Sequence, residues 1–259
     1  MIFFFTGTGN SKYAAEKLAM QTNDRITDIG AAWKSGSFDY DVASDERIGF
    51  VVPVYAGTLP GIVGLFIEKM SLQGYANQYT YGVFTCGENS GYETAALNAA
   101  LAAKSIGFNG SFDLVMPDNF IVWSDIPPKP ELDDILASAD SALDGIIADV
   151  KAKTNGRIDT AAPQMPYFPN QAVSTAGGTS KLHADDKCTS CSLCEDMCPM
   201  SVIKIDENKK PVWEGSCTMC FACLHRCPAQ AVQHGGDTAG KGRYINPNVT
   251  FLLATGTTV

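Results

Sequence analysis

The chain has no surplus of positive charge: 19 Lys and Arg stand against 28 Asp and Glu, for a formal net charge of −9. That lack argues against nucleic acid as a partner, because phosphate backbones reward dense basic surface. No apolar run approaches the roughly 20 residues that span a bilayer, so no membrane role is expected. The start lacks a charged n-region and a cleavage site, which predicts no signal peptide and a chain kept in the cytoplasm. The three histidines, His183, His225 and His234, have no metal spacing among them and receive no role. No second nucleotide-binding fingerprint is present, so direct oxidation of NAD(P)H is not expected.

What the chain has is an apolar fraction of 45 % over 259 residues, enough for one large domain or two modest ones. It also has nine cysteines, eight of them between 188 and 227, with Cys86 alone. Without a secretory signal, clustered cysteines are read as metal or cluster ligands before disulfide partners.

Over residues 1–153 strand-like and helix-like segments alternate. Strands are predicted at Ile2–Phe5, Arg25–Ile29, Ile48–Val54, Tyr79–Thr85 and Phe112–Met116. Helices are predicted at Lys12–Met20, Pro60–Met70, Glu93–Ile106 and Glu131–Lys153. Five strands separated by helices predict an α/β domain: a doubly wound parallel sheet covered on both faces. Loops 6–11, 53–60 and 85–91 all follow strands and should crowd the carboxyl edge, where such sheets bind ligands. Residues 154–180 change composition, with Pro163, Pro166, Pro169 and the run 175–179, and read as an extended Pro/Gly linker. A cysteine-rich domain over 181–235 and a Gly-rich tail over 236–259 follow; the tail's apolar stretch Val249–Ala254 is left without a role.

In the cysteine-rich domain KCTSCSLCEDMCP is followed by SCTMCFACLHRCP. Cys188, Cys191, Cys194 and Cys198 repeat 29 residues later as Cys217, Cys220, Cys223 and Cys227, and Pro199 repeats as Pro228. This is the C-x2-C-x2-C-x3-C-P run of bacterial iron–sulfur proteins. Three cysteines two residues apart can wrap three corners of a cubane, while the fourth, before the proline, points elsewhere. Two copies related by a pseudo-two-fold then exchange fourth ligands. One [4Fe–4S] cluster is assigned to Cys188, Cys191, Cys194 and Cys227, and the other to Cys217, Cys220, Cys223 and Cys198. Two zinc sites or four disulfides are the competing readings; zinc patterns do not generate four cysteines per copy with a trailing proline. The segment resembles bacterial two-cluster ferredoxins.

Thr6-Gly7-Thr8-Gly9-Asn10-Ser11 sits between an apolar strand and a helix. Small residues let the backbone close around a phosphate, and backbone N–H groups, the helix N-terminus and the hydroxyls of Thr6, Thr8 and Ser11 can donate to it. A mere turn is the bland alternative. The run lacks the Gly-Lys-Ser/Thr ending of a P-loop and is not G-x-G-x-x-G. It resembles the flavodoxin signature T/S-x-T-G-N-S/T, matched by Thr6, Thr8, Gly9, Asn10 and Ser11. That resemblance implies sheet order 2-1-3-4-5 and FMN, with its phosphate in this loop.

The resemblance further implies ring contacts from Pro53, Val54, Tyr55, Ala56 and Gly57, with Tyr55 as one face, and from Thr85, Cys86, Gly87, Glu88 and Gly91. No aromatic other than Tyr92 lies near the third loop to stack on the second face. Loop 53–60 has no acid and the third offers only Glu88, which predicts a less reducing flavin than in a dedicated flavodoxin. Cys86 reads first as a small buried apolar residue. Asn119 and Trp123 are read equally as closing the flavin pocket or packing the connection. Lys241 and Arg243 read first as a solvated basic tail, with folding back to meet a negative substrate or the flavin's N1 side as the alternative.

Taken whole, the chain resembles the flavodoxin–ferredoxin fusion proteins of anaerobic bacteria and archaea, including at Met116-Pro-Asp-Asn-Phe120 and Gly240-Lys-Gly-Arg-Tyr244. The resemblance implies FMN and two [4Fe–4S] clusters. The expected donor is a ferredoxin or another low-potential redox protein. The expected function is coupling of single electrons to two-electron reduction of a small organic acceptor. The alternative is a non-enzymatic carrier between redox proteins. An iron–sulfur sensor is disfavoured by the missing nucleic-acid element. Transfer within one chain and across a homodimer both stay open.

Overall fold

Ile48–Pro53 is buried along nearly its whole length, and Thr80–Cys86 along all of it, with no polar face to present to water. Such strands belong in a parallel sheet covered on both sides. The computed structural model describes residues 1–159, 167–168, 170–172 and 179–251. Contacts divide the chain into two units. The first is Met1–Thr6, Asn10–Pro117 and Pro128–Pro169; the second is Gly7–Gly9, Asp118–Pro127 and Asn170–Val259, each over its described residues.

The elements of the first unit are β1 (Ile2–Phe4), α1 (Asn10–Thr22), β2 (Ile26–Asp28), α2 (Ile29–Ser35), β3 (Asp39–Asp41), β4 (Ile48–Pro53), α3 (Gly61–Lys69), β5 (Ser71–Gln73), β6 (Thr80–Cys86), α4 (Glu93–Ala102), β7 (Gly110–Val115) and α5 (Lys129–Ala152). The sheet runs β2-β1-β4-β6-β7 with every pairing parallel. Counting only its own five strands, that is the flavodoxin-like order 2-1-3-4-5.

Strand side chains alternate between the two faces. Ile2, Phe4, Val51, Val83 and Leu114 pack under α1 and α5 with Ala14, Leu18, Leu143, Ile147 and Val150. On the opposite face Phe3 stacks on Phe50 at 5.4 Å and meets Phe66 of α3 at the same distance. Gly49 makes room for a neighbour: a Cβ there would lie 2.6 Å from the ring of Tyr81, which is fully buried.

Two features depart from the expectations. The second strand is followed at once by α2, whose first turn is held by Asp28 accepting from Gly30 N–H (2.7 Å) and Ala31 N–H (3.2 Å) and which ends at Gly36 in the left-handed region. β3 and β5 form a separate two-stranded parallel pair. The stretch read as a linker also begins as packed chain. Thr154 O accepts from the Tyr79 hydroxyl at 2.5 Å, and Arg157 exchanges backbone hydrogen bonds with Ser111 at 2.9 and 3.0 Å. β7 is an edge strand, and Arg157 covers part of its open side. Residues 160–166, 169 and 173–178 lie outside the described residues.

The second unit contains β8 (Gln171–Ala172), a short 3-10 turn, β9 (Leu182–Ala184), α6 (Leu193–Met197), β10 (Ile203–Ile205), β11 (Pro211–Trp213), β12 (Ser216–Cys217), α7 (Ala222–His225) and β13 (Val232–His234). β9 pairs with β13, β10 with β11 and β8 with β12, all antiparallel. Its core gathers Ile121, Leu182, Val202, Ile203, Trp213, Phe221, Leu224 and Val232 together with Cys198 and Cys223. Among the described residues no helix is long and apolar enough to cross a membrane.

Gly49→Ala is expected to lower stability by about 1–3 kcal/mol, because the new methyl meets a ring with no free volume behind it. The shift in the thermal unfolding midpoint measures it.

Candidate redox site

The cysteines arrange themselves around two cavities of about 20 Å³ each. Cys188, Cys191, Cys194 and Cys227 line one; Cys198, Cys217, Cys220 and Cys223 line the other. The second cavity is otherwise largely apolar, with Leu182, Val202, Ile203, Trp213 and Phe221 in its wall. Burial pushes the thiols of Cys194 and Cys217 up to about 12 and raises those of Cys220 and Cys223 as well. Four thiolates cannot share such a cavity unless a cation compensates them, and iron supplies that charge. The donor set therefore fits iron–sulfur clusters, and nothing in it requires a disulfide.

The backbone repeats as the sequence does. Ser190 and Ser192 occupy the left-handed region at φ 59° and 63°, and 29 residues on, Met219 and Phe221 do so at 56° and 52°. Ser201 and Gln230 form a third such pair, at 54° and 50°. Left-handed residues alternating with right-handed ones turn successive N–H groups toward one centre. Two of these donors already reach sulfur: Met219 N–H to Cys217 at 3.2 Å and Ala231 N–H to Cys227 at 3.3 Å.

In the first unit, loops after β4 and β6 leave the carboxyl edge of the sheet. Tyr55 and Thr58 exchange backbone hydrogen bonds at 2.9 and 3.1 Å around Ala56 (φ 50°) and Gly57 (φ 77°). Two positive φ values in a two-residue turn are the type I′ pattern, and an alanine held there is strained. Pro53, Val54 and Tyr55 are half-buried and Ala56 is exposed. The second and third loops lock together: Tyr92 N–H donates to Gly57 O at 2.7 Å, and a Cβ on Gly91 would lie 2.9 Å from Gly57 Cα. Gly87, Glu88, Gly91 and Tyr92 are exposed, while Thr85 and Cys86 are buried. The Cys86 thiol is pushed up to about 12, mainly by burial, as a small core residue's would be. Asn10 Nδ2 donates to Pro117 O at 3.2 Å, and the Ser11 and Thr85 hydroxyls lie 2.7 Å apart.

Two further residues beside the third loop were not singled out from the sequence. Arg157 holds both oxygens of Asp113, at 3.1 and 3.2 Å, and also donates to Thr94 Oγ1 at 2.7 Å and to Ser90 Oγ. It ties the end of that loop to β7. Glu93, in the first turn of α4, is completely buried, and neither carboxyl oxygen has a hydrogen-bond partner among the described residues. Burial, reinforced by the charge of Asp113, raises its pKa well above 4.5.

The second unit takes in Gly7–Gly9 and the segment 118–127. Gly7, Thr8 and Gly9 are buried. Asn119 Nδ2 donates to Thr8 Oγ1 at 2.6 Å, and Thr8 O accepts from Asn246 N–H at 2.8 Å. His225 lies 2.8 Å from Asn119 O through Nε2, and its Nδ1 accepts from Tyr244 N–H at 3.1 Å. That pattern puts the proton on Nε2, and burial lowers the imidazole pKa to about 4. Trp123 is 84 % exposed and stands edge-on to Phe120 of the same connection, with ring centroids 4.8 Å apart. The expectation of a solvated basic tail is overturned. Lys241 Nζ donates to Ile121 O at 2.7 Å and Ser124 O at 3.0 Å, and Arg243 donates to Val232 O at 3.2 Å and Gln233 Oε1 at 2.9 Å. Unpaired carbonyls of irregular chain provide the acceptors that a charge-based reading attributed to water. The stretch Val249–Ala254 is described only to Phe251.

Comparison with known proteins bears mainly on the second unit. Residues 187–232 match a family model described as a 4Fe-4S dicluster domain, and the chain carries that domain with its eight cysteines. No curated protein matches. A solved structure from Bacteroides uniformis, described as a flavoprotein, is similar at 15 % identity over 44 % of this chain and 88 % of its own, with a TM-score of 0.36. One from Bacteroides eggerthii, described likewise, is 18 % identical over 44 % of this chain and 86 % of its own, with a TM-score of 0.33. Rubredoxin oxygen:oxidoreductase from the anaerobe Desulfovibrio gigas is 16 % identical over 59 % of this chain and 36 % of its own, with a TM-score of 0.35.

Glu93 gives a pH test. In the unfolded chain it titrates near 4.5, so its neutral form contributes fully below that pH, and the contribution is lost as pH rises through the higher folded value. Glu93→Gln is expected to abolish this decline and to be more stable than the parent at pH 7 by on the order of 1 kcal/mol or more. Denaturant midpoints across about pH 4 to 8 read the difference.

Proposed function

We propose that this chain is an FMN-dependent iron–sulfur oxidoreductase. In this reading it takes single electrons from a ferredoxin or another low-potential redox protein and delivers them in pairs to a small organic acceptor. The observation that carries the proposal is the pair of cysteine quartets, each around its own cavity, in the same chain as a flavodoxin-like sheet whose first loop is Thr6–Ser11. Bound together, FMN and two [4Fe–4S] clusters supply exchange between one-electron and two-electron chemistry.

The chain's own residues support that reading. A helix N-terminus favours an anion, and α1 begins at Asn10 inside the loop Thr6–Ser11, which suits a phosphate there. Thr8 Oγ1 accepts from Asn119, which leaves the Thr8 proton to point outward to a phosphate oxygen. If Thr85 donates to Ser11, the Ser11 proton is released in the same way. Asn119 and Thr85 thus orient hydroxyls that the loop sequence offers. Tyr55 on its rigid turn suits one face of the ring, with Pro53, Val54, Ala56 and Gly57 beside it. Thr85, Cys86, Gly87, Glu88 and Gly91 suit its edge, and Arg157 fixes the end of the loop that carries them. The exposed tip at Gly87, Glu88 and Gly91 offers an acceptor a way in without a stacked aromatic above it.

Protein purified without oxygen is expected to contain flavin, iron and acid-labile sulfide in the ratio 1:8:8. A preparation with iron but no retained FMN overturns the flavin assignment. Thr8→Val and Ser11→Ala are each expected to weaken FMN binding about 10- to 100-fold, as a hydrogen bond to a charged phosphate is worth about 1.5–3 kcal/mol. Fluorescence titration of the flavin-free chain measures this.

A further inference from the structure

We infer that the two cysteine cavities are unequal in role: Cys198, Cys217, Cys220 and Cys223 hold the inner cluster, which hands electrons to the flavin, and Cys188, Cys191, Cys194 and Cys227 hold the outer one, which receives them from the donor. This rests on the cofactor assignment above and adds a direction and an order to it.

Within the second unit, the phosphate-loop residues Gly7–Gly9 lie against the cysteine motif of the inner cavity. A Cβ on Gly7 would fall 2.1 Å from the carbonyl oxygen of Cys220 and 3.4 Å from its Cβ, so only glycine permits this approach of two backbones. Thr8 is joined to the same motif by hydrogen bonds. Asn119 donates to Thr8 at 2.6 Å and its carbonyl accepts from His225, which closes α7 two residues after Cys223. The aromatic ring of Phe120 meets that of Phe221, the residue between Cys220 and Ala222, at 5.5 Å. Two routes from the loop, one direct through Gly7 and one through Asn119, therefore reach residues 220–225, and Phe120 packs beside the second.

The outer quartet has the complementary property. Cys191 is exposed, whereas Cys198 and Cys223 of the inner quartet are buried. Around the outer quartet lie surface charges: Lys210 Nζ donates to Cys188 O at 3.1 Å, and Lys204 faces Glu195 at 3.8 Å. An exposed ligand edged with charge suits docking of a redox protein, and a buried one beside the loop suits internal transfer. Each transfer oxidises a reduced inner cluster by one electron and reduces the flavin by one. The outer cluster, reduced by a one-electron iron–sulfur donor, then re-reduces the inner one. Two such events, with two protons from water, complete reduction of the flavin.

The test uses the full-length protein loaded with iron, sulfide and FMN, as Cys191→Ala and as Cys220→Ala, each lacking one cluster. The readout is the microwave-power saturation of the electron paramagnetic resonance signal from one-electron-reduced flavin, which a nearby reduced cluster relaxes. Cys191→Ala is expected to keep the fast relaxation of the unmodified protein, and Cys220→Ala to lose it. The opposite assignment overturns the inference. If Cys220→Ala does not fold, Cys191→Ala alone decides: retained fast relaxation supports the order and its loss overturns it. Unmodified protein that shows clusters but no flavin signal at all overturns the cofactor assignment, and this inference with it, before either variant is examined.

Discussion

A thiolate cannot be buried among Leu, Ile and Trp unless something positive is buried with it. In the second unit that constraint governs nearly everything else. Its strands are two or three residues long and its helices four or five, too short to hold a hydrophobic core by themselves. Cys198 and Cys223 are nevertheless part of that core, beside Phe221 and Leu224. Iron bound at those sulfurs would be at once a redox centre and the staple of a small domain.

The first unit meets the opposite requirement, rigid placement of a neutral loop. A parallel sheet buried on both faces provides the platform, and its crossover connections bring the loops after successive strands to one edge. What fixes the loops is local and specific: a left-handed Ala56–Gly57 turn, the contact of Gly91 with Gly57, and Arg157 reaching Asp113, Thr94 and Ser90.

Much of this is legible in the sequence, and the rest is illegible for definable reasons. Most of the sheet strands announce themselves as apolar β-branched runs such as Ile48–Val52, whereas β2 at Ile26–Asp28 is short and largely exposed and leaves only a weak trace; their order follows from the resemblance at Thr6–Ser11. The grouping of cysteines around two cavities follows the spacing of the repeat. α2 escapes notice because seven residues are too few for a helical period to show; only the Asp28 cap and Gly36 mark it. β3 and β5 are three residues each and are paired across most of a crossover. Arg157 acts on Ser90, 67 residues earlier, and no local pattern encodes a partner so distant. The charge of Lys241 and Arg243 predicts solvent, but the surrounding backbone leaves carbonyls that need donors and both side chains turn inward to them.

The six side-chain-bearing residues at positive φ around the cysteine motifs, Ser190, Ser192, Ser201, Met219, Phe221 and Gln230, carry a consequence for assembly. Glycine could adopt those angles without strain, yet this chain places ordinary residues there, each at a cost of order 1 kcal/mol or more. Bound clusters would offset that strain, because the curled loops turn N–H groups toward the sulfurs. Assembly of the module would then be a latch rather than a filling, with the inorganic core and the curled backbone closing on each other together.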